Sequence, residues 1–538
     1  MAETTYLLWL LSMGSLIFLM QAGFFFLEGG QVRSRDVSNV LMKMIGHMGI
    51  GILVFLLAGF AIKQFGWPVG HPPDGALPWN FFHSGERSLS FFVSLMFALV
   101  SCAIPSGCFS GRMKFSSYLV FAAIYVGVVY PVFAYFLWNG ALARLGVQDY
   151  AGSLGVHAVG GIMGLVGARF LGQRRQRSEP HDVPMMGFGA LLLMFCWFGF
   201  NLGSVPSFEK IPLDLPIVAI NTLAAIAGGI IGSLAISRLL HGKTNAIVTP
   251  NGGLAGAVAI CSAVHLYHPL VATAVGIVAG AQIPFTSRLL CRKWNIDDPC
   301  DVGAVHAIPG LLGGAAAGLA GIGMPAGFHG YTISAMAQLI GTAAAIVYGI
   351  VAALVLFGLL KVTVGLRVSE ESESSGLDFS QHGVAAYPEL TAQPRIGSPL
   401  HVLSGVQVKD VMTPVPTVRP TDMLDAVQEL MVTSETFCLP VVDVRGEFCG
   451  VISTSDVARI AREERPHVRV AAVFTRNAVS VFPDQTVHEI ASRMRELRLA
   501  NFPVVARENG REYLGMVTKA EVVRAYQRMA IDSEVLVG

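Results

Sequence analysis

Eleven apolar runs, each of about the length a helix needs to cross the hydrocarbon core of a bilayer, take up most of residues 5–365. They lie at residues 5–26, 44–65, 89–108, 117–138, 152–172, 184–204, 216–238, 250–266, 268–287, 303–323 and 333–365, the eighth being the shortest. Within lipid a backbone must satisfy its own hydrogen bonds, so runs of this length dictate an all-α polytopic membrane domain. Composition agrees: 53% of the 538 residues are hydrophobic and 14% charged, against roughly 25% charged in an ordinary soluble domain. A net charge of +1 offers no broad field to nucleic acid, which is excluded as a partner. The eight cysteines form no CxxC pair and read as small buried hydrophobes, neither a disulfide framework nor a metal site. The first run lacks a basic stretch before it and a small-residue cleavage site after it, so it reads as a membrane helix and not a signal peptide.

Charge sets the expected direction. Basic residues recur in every second loop: Arg33, Arg35 and Lys43; Arg112 and Lys114; Arg174, Arg175 and Arg177; Arg238 and Lys243; Arg288, Arg292 and Lys293. The positive-inside rule makes these loops cytoplasmic, which predicts a multi-pass protein of the cell (inner) membrane with its amino terminus outside and its carboxyl end inside. The 59 glycines concentrate in the runs, as in GGIMGLVG and GGAAAGLAG. Small residues at that density let helices approach backbone to backbone in lipid.

Two runs say nearly the same thing. DYAGSLGVHAVGGIMGL and DVGAVHAIPGLLGG each carry an aspartate, then a histidine followed by alanine, an aliphatic residue and glycines. With the predicted direction these two segments are antiparallel, the mark of an inverted repeat of five plus five spans with its site near the midplane. His157 lies eight residues beyond Asp149 and His306 five beyond Asp301, about 12 Å and about 8 Å of helix rise from opposite faces. One intramembrane histidine alone reads as a satisfied hydrogen bond between helices; a duplicated pair reads as a pathway. Neutral imidazole offers one donor and one acceptor nitrogen, so two facing rings make a polar chain through a dry passage. Asp149 and Asp301 read as caps for helix N–H groups. A metal is disfavoured, since no third ligand falls at a suitable spacing. His265 and His268, in VHLYHP, read as solvated loop residues.

DYAGSLGVH, DVGAVH, WFGFNLGS at 197–204 and LRVSEESESSGLDFSQHGVAAY after the last run together resemble the ammonium transporter (Amt/Rh) family, in its Amt branch, over about residues 5–387. The resemblance implies a homotrimer in the bilayer, one narrow hydrophobic pore per subunit, ammonium or ammonia as substrate, and a PII-type signalling protein as a partner. It gives His157 and His306 the role of twin pore histidines. Trp138 and Ser204 are similar to the family's outer cation site, Phe97 and Phe200 to its stacked phenylalanine gate, and Trp197 to the adjoining wall. Three features depart from the pattern: Gly111 stands where an acidic residue usually precedes the arginine, Val93 stands where a second outer aromatic is expected, with Phe91 and Phe92 close by, and Trp138 stands one residue nearer its aspartate than the family's common spacing.

Composition changes after about residue 388 to charged and alternating, with YPELTAQPRIGSP as a linker. VMTPVPTVRPTDMLDAVQELM…LPVVD…GVISTSDVARI is echoed by VFTRNAVSVFPDQTVHEIASRM…FPVVA…GMVTKAEVVRA. Each copy reads strand, helix, strand, strand, helix and resembles a CBS domain, so a soluble α/β CBS pair is expected at the C-terminus. The predicted domains are 1–365 (membrane), 366–400 (tail and linker) and 401–538 (CBS copies at about 405–465 and 466–530). The resemblance implies an adenine nucleotide (ATP, ADP or AMP) as regulatory ligand, with Ser453 and Thr518 as phosphate-contacting hydroxyls and Asp456 as the ribose-binding carboxylate; Glu521 replaces the second aspartate. A CBS pair that only assembles the cytoplasmic face is the bland alternative. The leading reading is a regulated ammonium transporter needing no cofactor. An ammonium sensor signalling through the CBS pair is the second. A membrane enzyme is disfavoured, with no nucleophile, metal cluster or phosphate loop in view.

Overall fold

The computed structural model describes residues 2–66, 85–176, 180–205, 211–320, 333–387, 406–476, 478–497 and 499–525, and divides into two units, Met1–Tyr387 and Pro388–Gly538. Arg177, the linker beyond Tyr387 and residues 401–405 lie outside the described residues.

In the first unit each apolar run carries a helix, the run at 250–266 being helical to Ile260 and a turn beyond it. The helices are α1 (Ala2–Gln31), α2 (Val37–Val54, continued through a wide turn at Phe55–Gly59 to Phe60–Phe65) and α3 (Gly85–Ala103). There follow α4 (Phe115–Ile124, continued through Tyr125–Val129 to Tyr130–Trp138), α5 (Ser153–Ala158, then Val159–Leu171) and α6 (Val183–Leu202). The rest are α7 (Ile211–His241), α8 (Val248–Ile260), α9 (Pro269–Ala281, then Ile283–Arg292), α10 (Gly303–Ala307, then Ile308–Ala316) and α11 (Ala335–Thr363). Among the described residues nine helical segments are long and apolar enough to cross a membrane, α10 belongs to a shorter apolar helix ending at Leu319, and α8 has only 13 residues.

Glycine sets how closely these helices approach. In α7 to α9, a Cβ at Gly229, Gly256 or Gly280 would run into the backbone of a neighbouring helix. Where α5 crosses α10 the fit is reciprocal. A Cβ at Gly161 would stand 2.5 Å from the amide nitrogen of Ala307, and one at Gly310 would stand 2.6 Å from that of Ala158. Each glycine lies four residues after one histidine and meets the residue that follows the other, so the inverted repeat is visible as a symmetric backbone contact.

Beyond α11 the chain folds back over the loops at one end of the bundle. Met113 pairs with Arg367 in an antiparallel bridge, and α12 (Glu370–Ser375) and α13 (Leu377–His382) follow. Leu377 donates its N–H to Asp36 Oδ1 at 2.9 Å, and Asp378 Oδ1 accepts from the N–H of Asn39 at 2.8 Å. Glu373 accepts from the N–H of Arg175 at 2.7 Å and from Arg367 at 2.7 Å, while Gln381 Oε1 accepts from the N–H of Phe115 at 2.6 Å. Three loops are thereby tied to one short tail. Gly111, at φ 78°, turns among them; a Cβ there would meet Arg174 Cδ at 3.5 Å, Asp36 Oδ2 at 3.6 Å and Arg33 Nη2 at 4.0 Å, and the left-handed backbone suits glycine.

In the second unit the first copy forms α14 (Leu424–Thr433), β1 (Cys438–Val442), β2 (Phe448–Ser453) and α15 (Thr454–Ala458). The second forms β3 (Thr475–Arg476), α16 (Val487–Leu497), β4 (Asn501–Val505) and β5 (Tyr513–Thr518). The hairpins match in register, Cys438 opposite Ser453 and Asn501 opposite Thr518. The expected leading strand is in each copy a single parallel bridge, Val418 to Val441 and Val481 to Val504. The copies exchange lead-in segments. Val408 is buried in the core of the second copy and Val470 in that of the first, and β3 pairs with β2.

Candidate functional site

Both histidines sit in a wide first turn, Ser153–Ala158 and Gly303–Ala307, where the N–H of His157 reaches back five residues to the carbonyl of Gly152 at 3.1 Å. Such turns rotate one side chain out of the regular helical register and recur at functional sites. Together with the glycine crossing, they bring His157 Nδ1 to 3.2 Å from His306 Nδ1, the two rings nearly parallel at 13°. Facing nitrogens at that distance share one proton, one ring donating and the other accepting. His157 is also stacked on Trp197 at 5.2 Å, and its buried Nε2 has no hydrogen-bond partner among the described residues. Trp197 is fixed in turn by donating Nε1–H to Cys261 Sγ at 3.3 Å.

An unbroken line of rings leads from the pair to a pocket at one end of the bundle. His157 meets Phe200 at 5.5 Å, and Phe200 stacks on Phe97 at 4.1 Å and 19°. Phe97 then lines a pocket of about 120 Å³ with Val93, Ser94, Trp138, Tyr150 and Ser204. Trp138 is held by donating Nε1–H to the carbonyl of Asp149 at 2.8 Å, and Ser204 Oγ donates to the carbonyl of Phe200 at 2.9 Å, leaving its lone pairs to the pocket. On the other side His306 faces Phe24 at 6.1 Å. The structure thus brings Trp138, Ser204, Phe97, Phe200, His157 and His306 into one path. Pocket, paired rings and imidazoles follow in that order.

Asp149 caps α5 by accepting the N–H groups of Leu154 and Gly155, the latter at 2.8 Å, and it accepts from Ser262 Oγ at 2.8 Å. The matching reading of Asp301 is corrected. Asp301 has φ 54° and accepts from Ser287 Oγ at 2.7 Å, while Asp298 caps α10 through the N–H groups of Val302 and Gly303 at 3.0 and 2.7 Å. Asp298 precedes His306 by eight residues, as Asp149 precedes His157. That equal spacing was the available signal. His265 is corrected too: it is buried and stacked on Tyr150 at 4.2 Å, and His268 caps α9. Sequence reasoning also missed Lys63, in the last turn of α2, whose Nζ reaches the pocket at Ser94 Oγ and the Trp138 ring. It missed the buried pair of Glu28 and Lys43 as well, which Ser106 and Ser110 bond.

In the second unit Ser453 and Asp456 form a capping box at α15, with Ser453 N–H and Oγ donating to Asp456 Oδ2 at 3.0 and 2.6 Å. Thr518 and Glu521 repeat it, so the longer acid does the same local work. A cavity of about 640 Å³ opens beside α15, lined by Met431, Thr436, Phe437, Thr454 and Arg465 among others. Among the described residues no group of three or more His, Cys, Asp or Glu could hold a metal ion, and the eight cysteines form no disulfide.

Residues 8–387 match the model of the Ammonium Transporter Family, and residues 408–463 and 470–528 each match the CBS domain. The chain is 36% identical to the ammonium transporter Amt2 of Methanocaldococcus jannaschii over 404 residues, covering 73% of this chain and 93% of that one. It is 30% identical to the ammonium transporter of Bacillus subtilis over 394 residues, 70% of this chain and 96% of that one. Among solved structures, a sensor Amt protein superposes with a TM-score of 0.64 at 25% identity over 70% of this chain and 98% of its own, and Nitrosomonas europaea Rh50 with 0.56 at 26% over 68% and 90%. Candida albicans Mep2 shares the fold, at a TM-score of 0.62 and 23% identity over 72% of this chain and 92% of its own. The chain is a multi-pass membrane protein of the ammonium transporter family, a transporter and not an enzyme, joined to a C-terminal pair of CBS domains.

Proposed function

We propose that this chain carries ammonium across the membrane through a pore in each subunit of a homotrimer, with the Trp138 pocket outside and the CBS pair in the cytoplasm. NH4+ enters the pocket, held by the Trp138 ring face and Ser204 Oγ; a desolvated cation over such a ring gains about 2 kcal/mol. A bare cation cannot cheaply pass the stacked Phe97 and Phe200 rings, so NH4+ gives up a proton before that point, NH3 continues along His157 and His306, and the proton follows through their shared Nδ1–Nδ1 hydrogen bond to rejoin NH3 beyond them, carrying one charge per ammonium. Trp197 holds His157 in plane, and Asp149 holds the turn that carries it. The observation that carries this reading is the 3.2 Å approach of the two buried Nδ1 atoms behind a stacked phenylalanine pair. Ammonium pulses on supported proteoliposomes test it: the wild type gives a current, and His157→Ala/His306→Ala gives none.

The CBS pair supports regulation by an adenine nucleotide at the first copy, where Thr454 and Val457, next in sequence to Ser453 and Asp456, line the 640 Å³ cavity that those two residues do not themselves line; Thr518 of the second copy contributes a hydroxyl. Binding there acts on conduction through the tail, which grips three loops of the pore unit, provided the nucleotide favours one state of that grip. Titration of ATP, ADP and AMP against the full-length protein in detergent checks it; equal currents with and without all three nucleotides dismiss the regulation. The likeness to a sensor Amt protein favours a second reading, in which ammonium is sensed at the same pocket and reported through the CBS pair. A sensor that does not conduct gives no current.

A further inference from the structure

α2 ends at Phe65, closed by Gly66 at φ 68°, whose N–H donates to the carbonyl of Ile62 at 2.8 Å. Lys63 belongs to this last turn. A lysine at the end of a membrane helix ordinarily extends its ammonium to the headgroups. Lys63 does the reverse. Its carbonyl accepts from Asn139 Nδ2 at 2.9 Å, tying the end of α2 to the residue after Trp138. Its Nζ donates to Ser94 Oγ at 2.9 Å and lies 5.7 Å from the centre of the Trp138 ring, and Lys63 lines the same pocket as Phe97 and Ser204. Among the described residues no carboxylate forms an ion pair with it.

The partners of this ammonium are an aromatic face and an acceptor hydroxyl, the same kinds of partner that the pocket offers to NH4+. The side chain has room because Val93 forms that part of the wall. Phe91, which could have filled it, packs instead on Phe55 and Phe60 at 5.8 and 5.4 Å, and Phe92 lies against Gly14. Two unit cations cannot share a half-buried pocket of this size without strong repulsion.

We propose that Lys63 is a resident occupant of the outer cation site, a tethered ammonium that NH4+ must displace, so that it sets the affinity of the pore for its substrate. This rests on the reading of the Trp138 pocket as the ammonium site. When Lys63 swings out, its Nζ is released from Ser94 and Trp138, and the substrate takes the freed Trp138 ring face together with Ser204 Oγ. No bond is made or broken, and the exchange is one cation for another.

The experiment is the dependence of proteoliposome current on ammonium concentration for the wild type, Lys63→Met, Lys63→Gln and Ser94→Ala. Expected is a half-saturating concentration lower by about tenfold in both lysine variants, the factor appropriate to losing a competitor of this strength, and a smaller shift in the same direction for Ser94→Ala. An unchanged or raised half-saturation in Lys63→Gln and Ser94→Ala overturns the proposal even if Lys63→Met fails to assemble. The two readings fail separately. A wild type without current, or a current surviving His157→Ala/His306→Ala, removes the transport reading; a conducting, histidine-dependent wild type with unshifted Lys63 variants removes this one alone.

Discussion

At the scale of single residues, the two caps distinguish a local sequence pattern from its use. Asp298 holds two N–H groups of the turn that carries His306, whereas Asp301, nearer in sequence, accepts from the Ser287 hydroxyl. Removing a cap carboxylate costs about 1 to 2 kcal/mol. Asp298→Ala should therefore lower the melting temperature of the detergent-solubilised protein more than Asp301→Ala, and should also reduce the ammonium current by loosening the His306 turn. Equal effects in both assays would return the cap to Asp301. A second residue-scale expectation concerns Asp297. Burial alone would raise its carboxyl, but hydrogen bonding and charge from Arg174, helped by Arg112, hold it below the ordinary 3.8. The stability this contributes is present above that value and is lost as the pH falls through the lower folded one. A melting temperature that drops below about pH 4, with a shallower drop in Asp297→Asn, is the expected result.

At the scale of elements, the crossing of α5 and α10 decides whether the imidazoles meet. The backbones touch at Gly161 and Gly310, where a Cβ would lie 2.5 Å from Ala307 N and 2.6 Å from Ala158 N. Neither partner atom is a flexible side-chain end, so a larger residue must push the helices apart, at about 1 to 3 kcal/mol for overpacking. Gly161→Val and Gly310→Val are each expected to cut the ammonium current at least about tenfold, since a misplacement near 1 Å in a positioned site costs on that order or more. Oligomer size on a sizing column should not change. A full current in either variant would mean the crossing tolerates separation and the histidine contact is not limiting.

At the scale of the whole molecule, the chain makes two units whose internal ties differ in kind. The pore unit is closed by a tail that bonds three loops at once. The CBS unit is closed by exchange, since Val408 of the first lead-in is fully buried in the second core and Val470 of the second lead-in in the first. Truncating either valine to alanine should destabilise the CBS unit by about 1 to 2 kcal/mol, and the copy that loses stability is the one the residue does not belong to in sequence. Hydrogen exchange resolves this: Val470→Ala should speed exchange in β1 and β2 before β4 and β5. The reverse order would deny the exchange.

Length and polarity of the apolar runs, the alternation of basic loops, the echoed histidines and the doubled C-terminal pattern are properties of neighbouring residues, so the all-α membrane domain and the CBS pair were determined by the sequence alone. The candidate path was legible through the family resemblance, because Trp138, Ser204, Phe200, His157 and His306 stand in motifs of a few residues each and Phe97 is reached by counting back from SGRMKFS. What stayed hidden depends on which distant segments touch. Nothing near Lys63 in sequence announces Ser94 or Trp138, and His265 looks like a loop residue until Tyr150 covers it. Asp298 and Asp301 differ only in which one faces the open turn. A side chain's environment is made by segments tens or hundreds of residues away, and only the closed fold, by choosing those neighbours, decided whether a lysine reached lipid headgroups or turned into the pocket.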